Sequence, residues 1–532
     1  MKKISALHII LAVSLVLSTA GIWWGLPSMT GWAPDEVFPS RILNGLLSLY
    51  SNGWYDKYPP VHFYLLGLLY LPFYLLHTLH VLDLRDLSTY TVLFYIGRLV
   101  SVAMGMGTVF LVYKAGKEIF DRRAALWAAL IVSLVDPFAY YAKMINADVP
   151  YVFWFALSLL FFIRILKTHE RKYYLLFTAA AVLSICTKDQ AYGLYVLAPL
   201  AVIFSDWRHK RNTIPRLDIV RSLFDRTYLY CLLLAAGLFF ALHNILFNAR
   251  GFSQHVKLII GPASRDYRMF ANTISGQLQL FSLNFRQMIN SLGWPLFIVC
   301  AAGLLASLLA KKKNALLLSL LVFSLSYYIF YIAIVRYNYD RFNLPHFIIL
   351  AFFGGRLISD VTAARPGYGK IKSGLLALMV LYSFLHSLSV DILMIADSRY
   401  KIERWMKNNI PREAVIGLAT PAEYAPRMDG FHWRSLPLSL PDFREMPKPD
   451  YIIFNTNFSR AFEKGSPEYR FFSRFADGNR KYKLVLRHRT ALRWLVIRYK
   501  NFFTNIDAIN PEIQIYRRTG PETIDRPRDD QP

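Results

Sequence analysis

Long apolar runs alternate with short polar stretches from residue 4 to about residue 393. Runs of about 20 residues have the length that an α-helix needs to cross the hydrocarbon core of a bilayer. Eleven spans are expected, at 4–26, 92–113, 124–141, 150–166, 174–187, 191–206, 227–247, 291–310, 315–335, 344–357 and 374–393. The pattern therefore predicts a polytopic α-helical membrane protein.

The apolar stretch 61–81 is an exception among these runs. It has Pro72 near its middle, and Tyr70, Tyr74 and His77 fall on one face of a helix. These features are typical of a helix that lies at the membrane surface, which is the expected arrangement. Hydropathy alone also permits a crossing helix.

Basic residues divide the loops into two sets. Three to six Lys or Arg occur in each of the loops 114–123, 164–172, 208–226, 311–313 and 356–372. The alternate loops hold one or two each, apart from the long loop 248–290. By the positive-inside rule we expect the first set, and the basic N-terminus, to be cytoplasmic. Both expectations hold together only when 61–81 does not cross, which places the loop 27–91 and the C-terminus outside.

From residue 394 the composition changes, because charge rises and short strand-like runs replace the apolar spans. The runs are "AVIGLAT" (414–420), "DYIIFN" (450–455), "YKLVLRH" (482–488) and "EIQIYRR" (512–518). A helix-like "RYKIERWMKNNI" precedes Pro411. We therefore predict a transmembrane domain (1–393) with juxtamembrane helices in its external loop 27–91, a small extracytoplasmic α/β domain (394–518), and a disordered polar tail (519–532).

Composition narrows the class of protein. Of the 532 residues 55% are hydrophobic and only 18% are charged, which suits a membrane protein. The net charge of +26 could suggest nucleic acid, but most basic residues before 394 lie in short clusters between apolar spans and suit anionic lipid instead. Nucleic-acid binding is therefore not expected. The N-terminus is interpreted as an uncleaved first span with Lys2 and Lys3 inside, and a cleaved signal peptide is the alternative.

Charged residues gather at the span ends on the predicted outer side. They are Asp35, Glu36 and Arg41 after the first span, Asp56 and Lys57 in the first external loop, Asp148 and Lys188 at later span ends, His255 and Arg268 in the loop 248–290, and Arg341. A cavity ringed by such groups suits a substrate with a charged head and an apolar tail. Cations would hold a phosphate, and a carboxylate would act as a general base or bind a metal.

Each candidate also has a purely structural explanation. Asp35 and Glu36 could cap a helix, because acidic residues are stabilising at a helix start. Lys188 could be an interfacial anchor whose charged end reaches the headgroups. Asp148 could pair with its neighbour Lys143. The residue pattern alone leaves these alternatives open.

Several motifs occur here in the order in which a known family has them. They are the "DE" pair (35–36), "KYPP" (57–60), "FDRRAA" (120–125), "ADVP" (147–150), "CTKDQ" (186–190) and "RFNLPHF" (341–347), followed by "PDYIIFN" (449–455) and "PEIQIYRR" (511–518). With them the chain resembles the membrane glycosyltransferases of the GT-C class. The likeness is greatest to the bacterial protein O-mannosyltransferase and aminoarabinose (lipid A) transferase group, and it covers most of the chain.

The resemblance implies a GT-C fold and an inverting transfer of a sugar from a polyprenyl-phosphate donor. The reaction would take place on the extracytoplasmic face of a bacterial inner membrane, and the acceptor would be a hydroxyl or phosphate of a lipid such as lipid A, of a glycan or of a protein. Asp35 would be the base that deprotonates or positions the acceptor, and Glu36 would support it or contact the acceptor. The donor phosphate would be bound by Lys57, Lys188, Arg268 and Arg341, while Asp148 and Arg41 would lie near donor or acceptor.

The resemblance also raises the question of a metal. Some relatives hold a metal with a carboxylate beside the lysine of the "K-x-P" element and with a distant histidine. Asp56 and His255 would stand at those positions here. Asp is shorter than the Glu of those relatives, so a divalent metal is left open. A second departure is "TKDQ", which replaces the commoner "TKG" around Lys188.

Two other classes of function compete with a glycosyltransferase. A polytopic lipid or polysaccharide transporter, or flippase, tends to have inverted repeats and polar sites near the membrane midplane. This chain shows no evident repeat, and its polar residues cluster at one face. A non-catalytic scaffold with an external polymer-binding domain would leave the one-sided cluster of acids and bases unexplained.

Overall fold

The computed structural model describes residues 5–47, 58–211, 225–262, 265, 268–363, 369–459, 462–476, 481–491 and 504–519. The chain forms two compact units. The first comprises Met1–Trp23, Asp35–Asp391 and Ile497–Thr504, and the second comprises Trp24–Pro34, Ile392–Val496 and Asn505–Pro532. The predicted tail, apart from Thr519, lies outside the described residues.

Helices make up the regular structure of the first unit in its described part. They are α1 (Ala6–Thr19), α2 (Pro39–Leu47), α3 (Val61–Thr78), α4 (Leu87–Ile119), α5 (Arg122–Ser133), α6 (Asp136–Tyr141), α7 (Asp148–Thr168), α8 (Arg171–Ile185), α9 (Tyr192–Tyr195), α10 (Ala198–Arg211), α11 (Arg226–Leu242), α12 (Ala249–Ile260), α13 (Ile274–Leu309), α14 (Ala315–Ser319), α15 (Leu321–Tyr327), α16 (Ala333–Val335), α17 (Leu344–Ala363) and α18 (Gly369–Ile395). A π-helical turn (Tyr328–Ile332) joins α15 to α16, and 3₁₀ turns occupy Asp189–Ala191 and Asp340–Asn343.

Seven helical segments of the described chain are long and apolar enough to cross a membrane. They are Val61–Thr78, Leu87–Ile119, Asp148–Thr168, Ile274–Leu309, Ala315–Val335, Asp340–Ala363 and Gly369–Asn409, and α1 and α11 are shorter apolar helices. The chain is thus a polytopic helical membrane protein. Six of the eleven expected spans fall on these segments, and 4–26 and 227–247 correspond to the two shorter helices, whereas 124–141, 174–187 and 191–206 are helical but are not candidate spans in the described chain. Because α3 also meets the length and composition of a span, its surface position stays a prediction.

Some expected spans are not single straight helices. The stretch 124–141 is divided into α5 and α6, and Pro137 lies in the first turn of α6, where its missing N–H costs no hydrogen bond. The stretch 191–206 is divided into α9 and α10. Helix α13 is kinked at Gly293, whose φ of +67° is accessible to glycine. Apolar run length predicted the position of these segments but not their breaks.

Small residues bring helices α5 and α17 close together. A Cβ added at Gly355 of α17 would lie 2.6 Å from the carbonyl oxygen of Ala124 and 2.7 Å from the amide nitrogen of Ala128. Such contact distances require glycine, and small residues are the usual means by which membrane helices approach closely. The position of α17 matters because the residues just before it belong to the candidate site.

The second unit holds a five-stranded mixed sheet of order β2-β1-β3-β5-β4. Its elements are α19 (Ser398–Asn409), β1 (Val415–Leu418), β2 (His432–Ser435), α20 (Leu440–Glu445), β3 (Tyr451–Asn455), α21 (Thr456–Ser459), α22 (Pro467–Ala476), β4 (Tyr482–His488) and β5 (Ile513–Arg518). Strand β1 runs parallel to β2 and β3, whereas β5 is antiparallel to β3 and β4. The helix and four predicted strands are confirmed, and β2 was missed because its four residues "HWRS" carry no strand pattern.

The segment Trp24–Pro34 is part of this second unit. The indole N–H of Trp24 donates to Asp397 Oδ2 at 2.9 Å, and the Arg399 guanidinium lies 4.2 Å from the centroid of the Trp32 ring. The residues that directly precede Asp35 in the sequence are therefore held by buried hydrogen bonds and ring contacts.

Candidate active site

Asp35 lies in the loop between α1 and α2 with a backbone φ of +60°. This left-handed conformation costs a residue other than glycine free energy, although aspartate tolerates it better than most, and such strain is found often at functional sites. The carboxylate accepts a hydrogen bond from Arg341 Nη2 at 2.9 Å, and 38% of the side chain is exposed. Asp35 is therefore both ion-paired and accessible.

Glu36, the next residue, is buried in a different environment. Its two carboxylate oxygens accept hydrogen bonds from Arg98 Nε at 2.8 Å and Nη2 at 2.7 Å. The amide of Ile145 donates to the same carboxylate at 3.0 Å, and the amide of Val37 donates to the Ile145 carbonyl at 2.7 Å. Glu36 therefore anchors the loop that carries Asp35 to α4 and to the segment before α7. Its role as a support for Asp35 fits this position better than contact with an acceptor.

Asp148 and Lys188 form a buried ion pair. Asp148 begins α7, Lys188 follows α8, and their Oδ1 and Nζ atoms are 2.5 Å apart. The ammonium of Lys188 also lies between 5.6 and 5.9 Å from the ring centroids of Tyr58, Tyr151 and Phe342. These rings exclude water on several sides, which strengthens electrostatic interactions at the ammonium.

Arg341 joins the two carboxylates. Its guanidinium lies 2.9 Å from Asp35 and 3.9 Å from Asp148, and only 8% of the side chain is exposed. The Nε and Nη1 atoms are buried and have no hydrogen-bond partner among the described residues. Buried donors of a charged guanidinium are costly to leave unsatisfied, which suggests that an anionic ligand accepts from them.

The backbone before α17 fixes the position of Arg341. The carboxylate of Asp340 accepts a hydrogen bond from the Arg341 amide at 2.7 Å and another from Thr504 Oγ1 at 2.5 Å. Arg341 also packs on the rings of Tyr339 and Tyr141, at 5.0 and 5.6 Å from their centroids. The guanidinium is thus held rigidly rather than placed on a flexible loop.

These contacts unite four of the residues singled out in the sequence into one network, Asp35–Arg341–Asp148–Lys188. Two carboxylates and two cations balance in charge, so that each cation is paired before any substrate binds. Burial lowers the pKa of Lys188, which lies between two expected spans, to about 8, and the carboxylate of Asp148 opposes this effect. The network therefore holds two cations, each paired with a carboxylate, within one buried region.

The remaining candidates lie elsewhere. Asp56 and Lys57 fall outside the described residues. Arg41 is exposed on α2, and Arg268 is exposed after the loop that follows α12. His255 is buried on α12 and its Nε2 lies 3.0 Å from Asp189 Oδ1, next to Lys188.

The metal prediction has limited support. His255 and Asp189 supply a nitrogen and an oxygen of the kinds that divalent metals bind. Among the described residues, however, no group of three His, Cys, Asp or Glu side chains comes together. Since Asp56 is not among them, the metal site stays a prediction.

The geometry corrects one interpretation of the sequence and adds one residue that the sequence analysis missed. The suggested pairing of Asp148 with Lys143 is wrong, because Lys143 pairs with Asp391 and Asp148 pairs with Lys188. Arg98 was missed, although an arginine inside an apolar span signals a specific internal partner. The sequence indicated that Arg98 needs a carboxylate but not which one.

Comparison with known proteins agrees with the fold. Residues 93–224 match the family model described as dolichyl-phosphate-mannose-protein mannosyltransferase. The oligosaccharyltransferase of Archaeoglobus fulgidus, in complex with Zn and sulfate, is similar to this chain with a TM-score of 0.50 and 11% sequence identity, over 97% of this chain and 88% of that chain. ArnT from Cupriavidus metallidurans bound to undecaprenyl phosphate aligns with a TM-score of 0.49 and 14% identity, over 96% and 97% of the two chains. No curated protein matches the sequence.

The multi-pass helical fold is shared with the oligosaccharyltransferase of Archaeoglobus fulgidus, and this likeness supports the GT-C fold expected from the sequence. Residues 93–224 are similar to the dolichyl-phosphate-mannose-protein mannosyltransferase family, in keeping with a glycosyltransferase that uses a sugar linked to a polyprenyl phosphate. The resemblance predicted from the sequence motifs is confirmed.

Proposed function

We propose that this enzyme transfers a sugar, with inversion, from a polyprenyl-phosphate donor to an acceptor hydroxyl at the Asp35–Arg341–Asp148–Lys188 network. The observation that carries the proposal is the arrangement of Arg341, whose buried Nε and Nη1 have no hydrogen-bond partner in the described structure while Nη2 donates to Asp35. A guanidinium with free donors in a rigid site suits the phosphate of a leaving group.

Donor binding would rearrange the network. The phosphate would accept hydrogen bonds from Arg341 and from Lys188 and would compete with Asp35 for the guanidinium. Asp35 would then lose its ion pair with Arg341 and would lie beside the sugar. The family resemblance also assigns Lys57 and Arg268 to binding of the donor phosphate. Both would contribute further positive charge there.

The chemical step follows from these positions. Asp35 would accept the proton of the acceptor hydroxyl, whose oxygen attacks the anomeric carbon from the face opposite the phosphate. The bond between that carbon and the phosphate oxygen breaks, and the polyprenyl phosphate leaves with the electron pair. Arg341 and Lys188 would stabilise the developing negative charge, so that no strong acid is required.

Asp35 is better placed than Asp148 to act as the general base. Its side chain is 38% exposed, whereas that of Asp148 is 1% exposed and lies 2.5 Å from Lys188. An acceptor hydroxyl can approach the first carboxylate but not the second. Asp148 would instead position Lys188, and Glu36 would position Asp35 through the loop.

Acceptor class and membrane orientation are part of the same proposal. The basic loops would face the cytoplasm, which would place the network and the C-terminal domain outside. In a bacterial inner membrane the acceptor would be lipid A, another glycan or lipid, or a protein. A divalent metal held by Asp56 and His255, with Asp189 nearby, is compatible with the proposal but is not required by it.

The test compares two arginines, Arg341 just before α17 and Arg356 within it. Arg341→Lys keeps the charge but loses the forked donors, whereas Arg356→Lys alters an exposed pair with Asp360. We expect Arg341→Lys to raise the KM for the polyprenyl-phosphate sugar about tenfold or more and to lower kcat, and Arg356→Lys to change neither. Equal activity of the two variants would contradict the role of Arg341.

A further inference from the structure

An apolar groove lies among α1, α5, α17 and α18, at a distance from the network. It has a volume of about 730 Å³, and nine of its eleven lining residues are apolar. The two polar ones, Thr362 and Ser373, lie at the end of α17 and the start of α18. Specific small-molecule sites have volumes of about 300–1,000 Å³, so the groove is large enough for part of a lipid.

The groove exists because the first half of α18 does not pack closely. The buried side chains of α18 begin at Ser383, whereas Leu375 and Leu378 are each 64% exposed. From Ser373 to Phe384 the lining extends over twelve residues of helix, or about 16 Å. The hydrocarbon core of a bilayer is about 30 Å thick, so the groove has the depth of a single leaflet.

Basic side chains continue the groove at its polar end. On α5, Arg123 lies one turn before the lining residue Trp127 and on the same helical face. On α18, Lys370 stands three residues before Ser373 on the lining face, and Lys372 stands four residues before the lining Leu376. Cations therefore come from two of the four helices that form the groove.

The acidic residues at this end have other partners. Asp121 accepts a hydrogen bond from the Ala124 amide at 2.8 Å and caps α5. Asp360 accepts from Arg356 Nε at 2.7 Å. The end of the groove is thus positively charged overall, while its interior is apolar. That combination matches a phospholipid with an anionic headgroup rather than a zwitterionic one.

We propose that this groove is a binding site for an anionic phospholipid in the leaflet that faces the basic loops. The headgroup would contact Arg123, Lys370 and Lys372, and one acyl chain would fill the space beside Trp127. The site is separate from the catalytic network, because Arg341 precedes α17 and Thr362 lies near the other end of this helix, about 30 Å away at 1.5 Å per residue.

The test uses the tryptophan that lines the groove. The purified full chain is reconstituted in phosphatidylcholine, and brominated phosphatidylglycerol or brominated phosphatidylcholine is added at equal mole fractions. The Trp127 signal is the difference in fluorescence between the unmutated chain and Trp127→Phe. We expect phosphatidylglycerol to quench it at a severalfold lower mole fraction than phosphatidylcholine.

Charge removal completes the test. Arg123→Gln combined with Lys370→Gln should lower the preference for phosphatidylglycerol over phosphatidylcholine by about fivefold for each cation removed. The control, Lys311→Gln with Lys312→Gln, removes the same charge from another basic loop and should leave the preference unchanged. Equal quenching by both lipids, an unchanged preference in the first variant, or a Trp127 shielded from all lipids by a second copy of the chain would each overturn the proposal.

Discussion

Adjacent carboxylates in this protein have different roles because their surroundings differ. Asp35 is accessible, strained in its backbone and paired with Arg341, whereas Glu36 is buried and accepts three hydrogen bonds from Arg98 and the Ile145 amide. A sequence motif shows only two neighbouring acids. The division into a reacting group and an anchoring group arises from partners that are far away in the chain.

The ion pair of Glu36 gives a stability prediction. Arg98→Met leaves a buried carboxylate without its cation and should lower the free energy of unfolding by about 3–5 kcal/mol. Glu36→Gln added to Arg98→Met should restore part of the loss, because the uncompensated charge is removed. Unfolding of the purified protein by denaturant measures both effects, and Arg356→Met, in an exposed pair, should cost about 1 kcal/mol or less. An Arg98→Met protein as stable as the unmutated one would contradict the account.

Lys188 gives a prediction about pH. Its pKa is lowered by burial to about 8, so the ammonium is charged below that pH and loses its proton above it. Donor phosphate should therefore bind more weakly as pH rises through about 8, which appears as an increase in KM for the donor. In Lys188→Arg the charge persists, and the increase should move to higher pH. The same pH profile in both proteins would show that Lys188 does not control donor binding.

At the scale of elements, the hydrophobic pattern located the long apolar helices and four of the five described strands, but not the amphipathic helices α12 and α22. It did not predict the breaks within 124–141 and 191–206 or the short strand β2, because proline, glycine and tertiary packing decide these locally. The "FDRRAA" motif has a structural explanation at this scale, since Asp121 caps α5.

The close approach of α5 and α17 can be tested with one added methyl group. Gly355→Ala would place a Cβ 2.6 Å from the Ala124 carbonyl oxygen and should destabilise the protein by about 1–3 kcal/mol. Gly374→Ala is the matched control, because no atom lies within 4 Å of the added Cβ there. It should be neutral or slightly stabilising, since alanine favours helix. Equal thermal stability of the two variants would mean that α5 and α17 are not packed this tightly.

At the scale of the whole molecule, the sequence predicted a polytopic membrane protein, the position of most of its long apolar helices and four residues that meet in one network. It did so because charged groups are rare in membrane segments, so each one is informative. It could not predict which charges pair. Lys143 binds Asp391 and not its near neighbour Asp148, and only the folded chain brings the correct partners together.

Topology is the whole-molecule prediction that remains to be measured. If α3 lies at the surface, a reporter fused after residue 86 should read as extracytoplasmic, because an odd number of spans precedes it. A cytoplasmic reporter at this position would mean that α3 crosses the membrane. A second reporter in the loop 114–123, expected to be cytoplasmic, serves as the control.

The central claim is that Asp35 is the base of a sugar transfer at the network it shares with Arg341, Asp148 and Lys188. The most direct measurement is the single-turnover rate of Asp35→Asn on purified protein saturated with polyprenyl-phosphate sugar, with donor binding measured in parallel. The account predicts that donor binding persists while transfer slows by about 10²–10⁴-fold, the usual contribution of a general base. Transfer at the unmutated rate would contradict it.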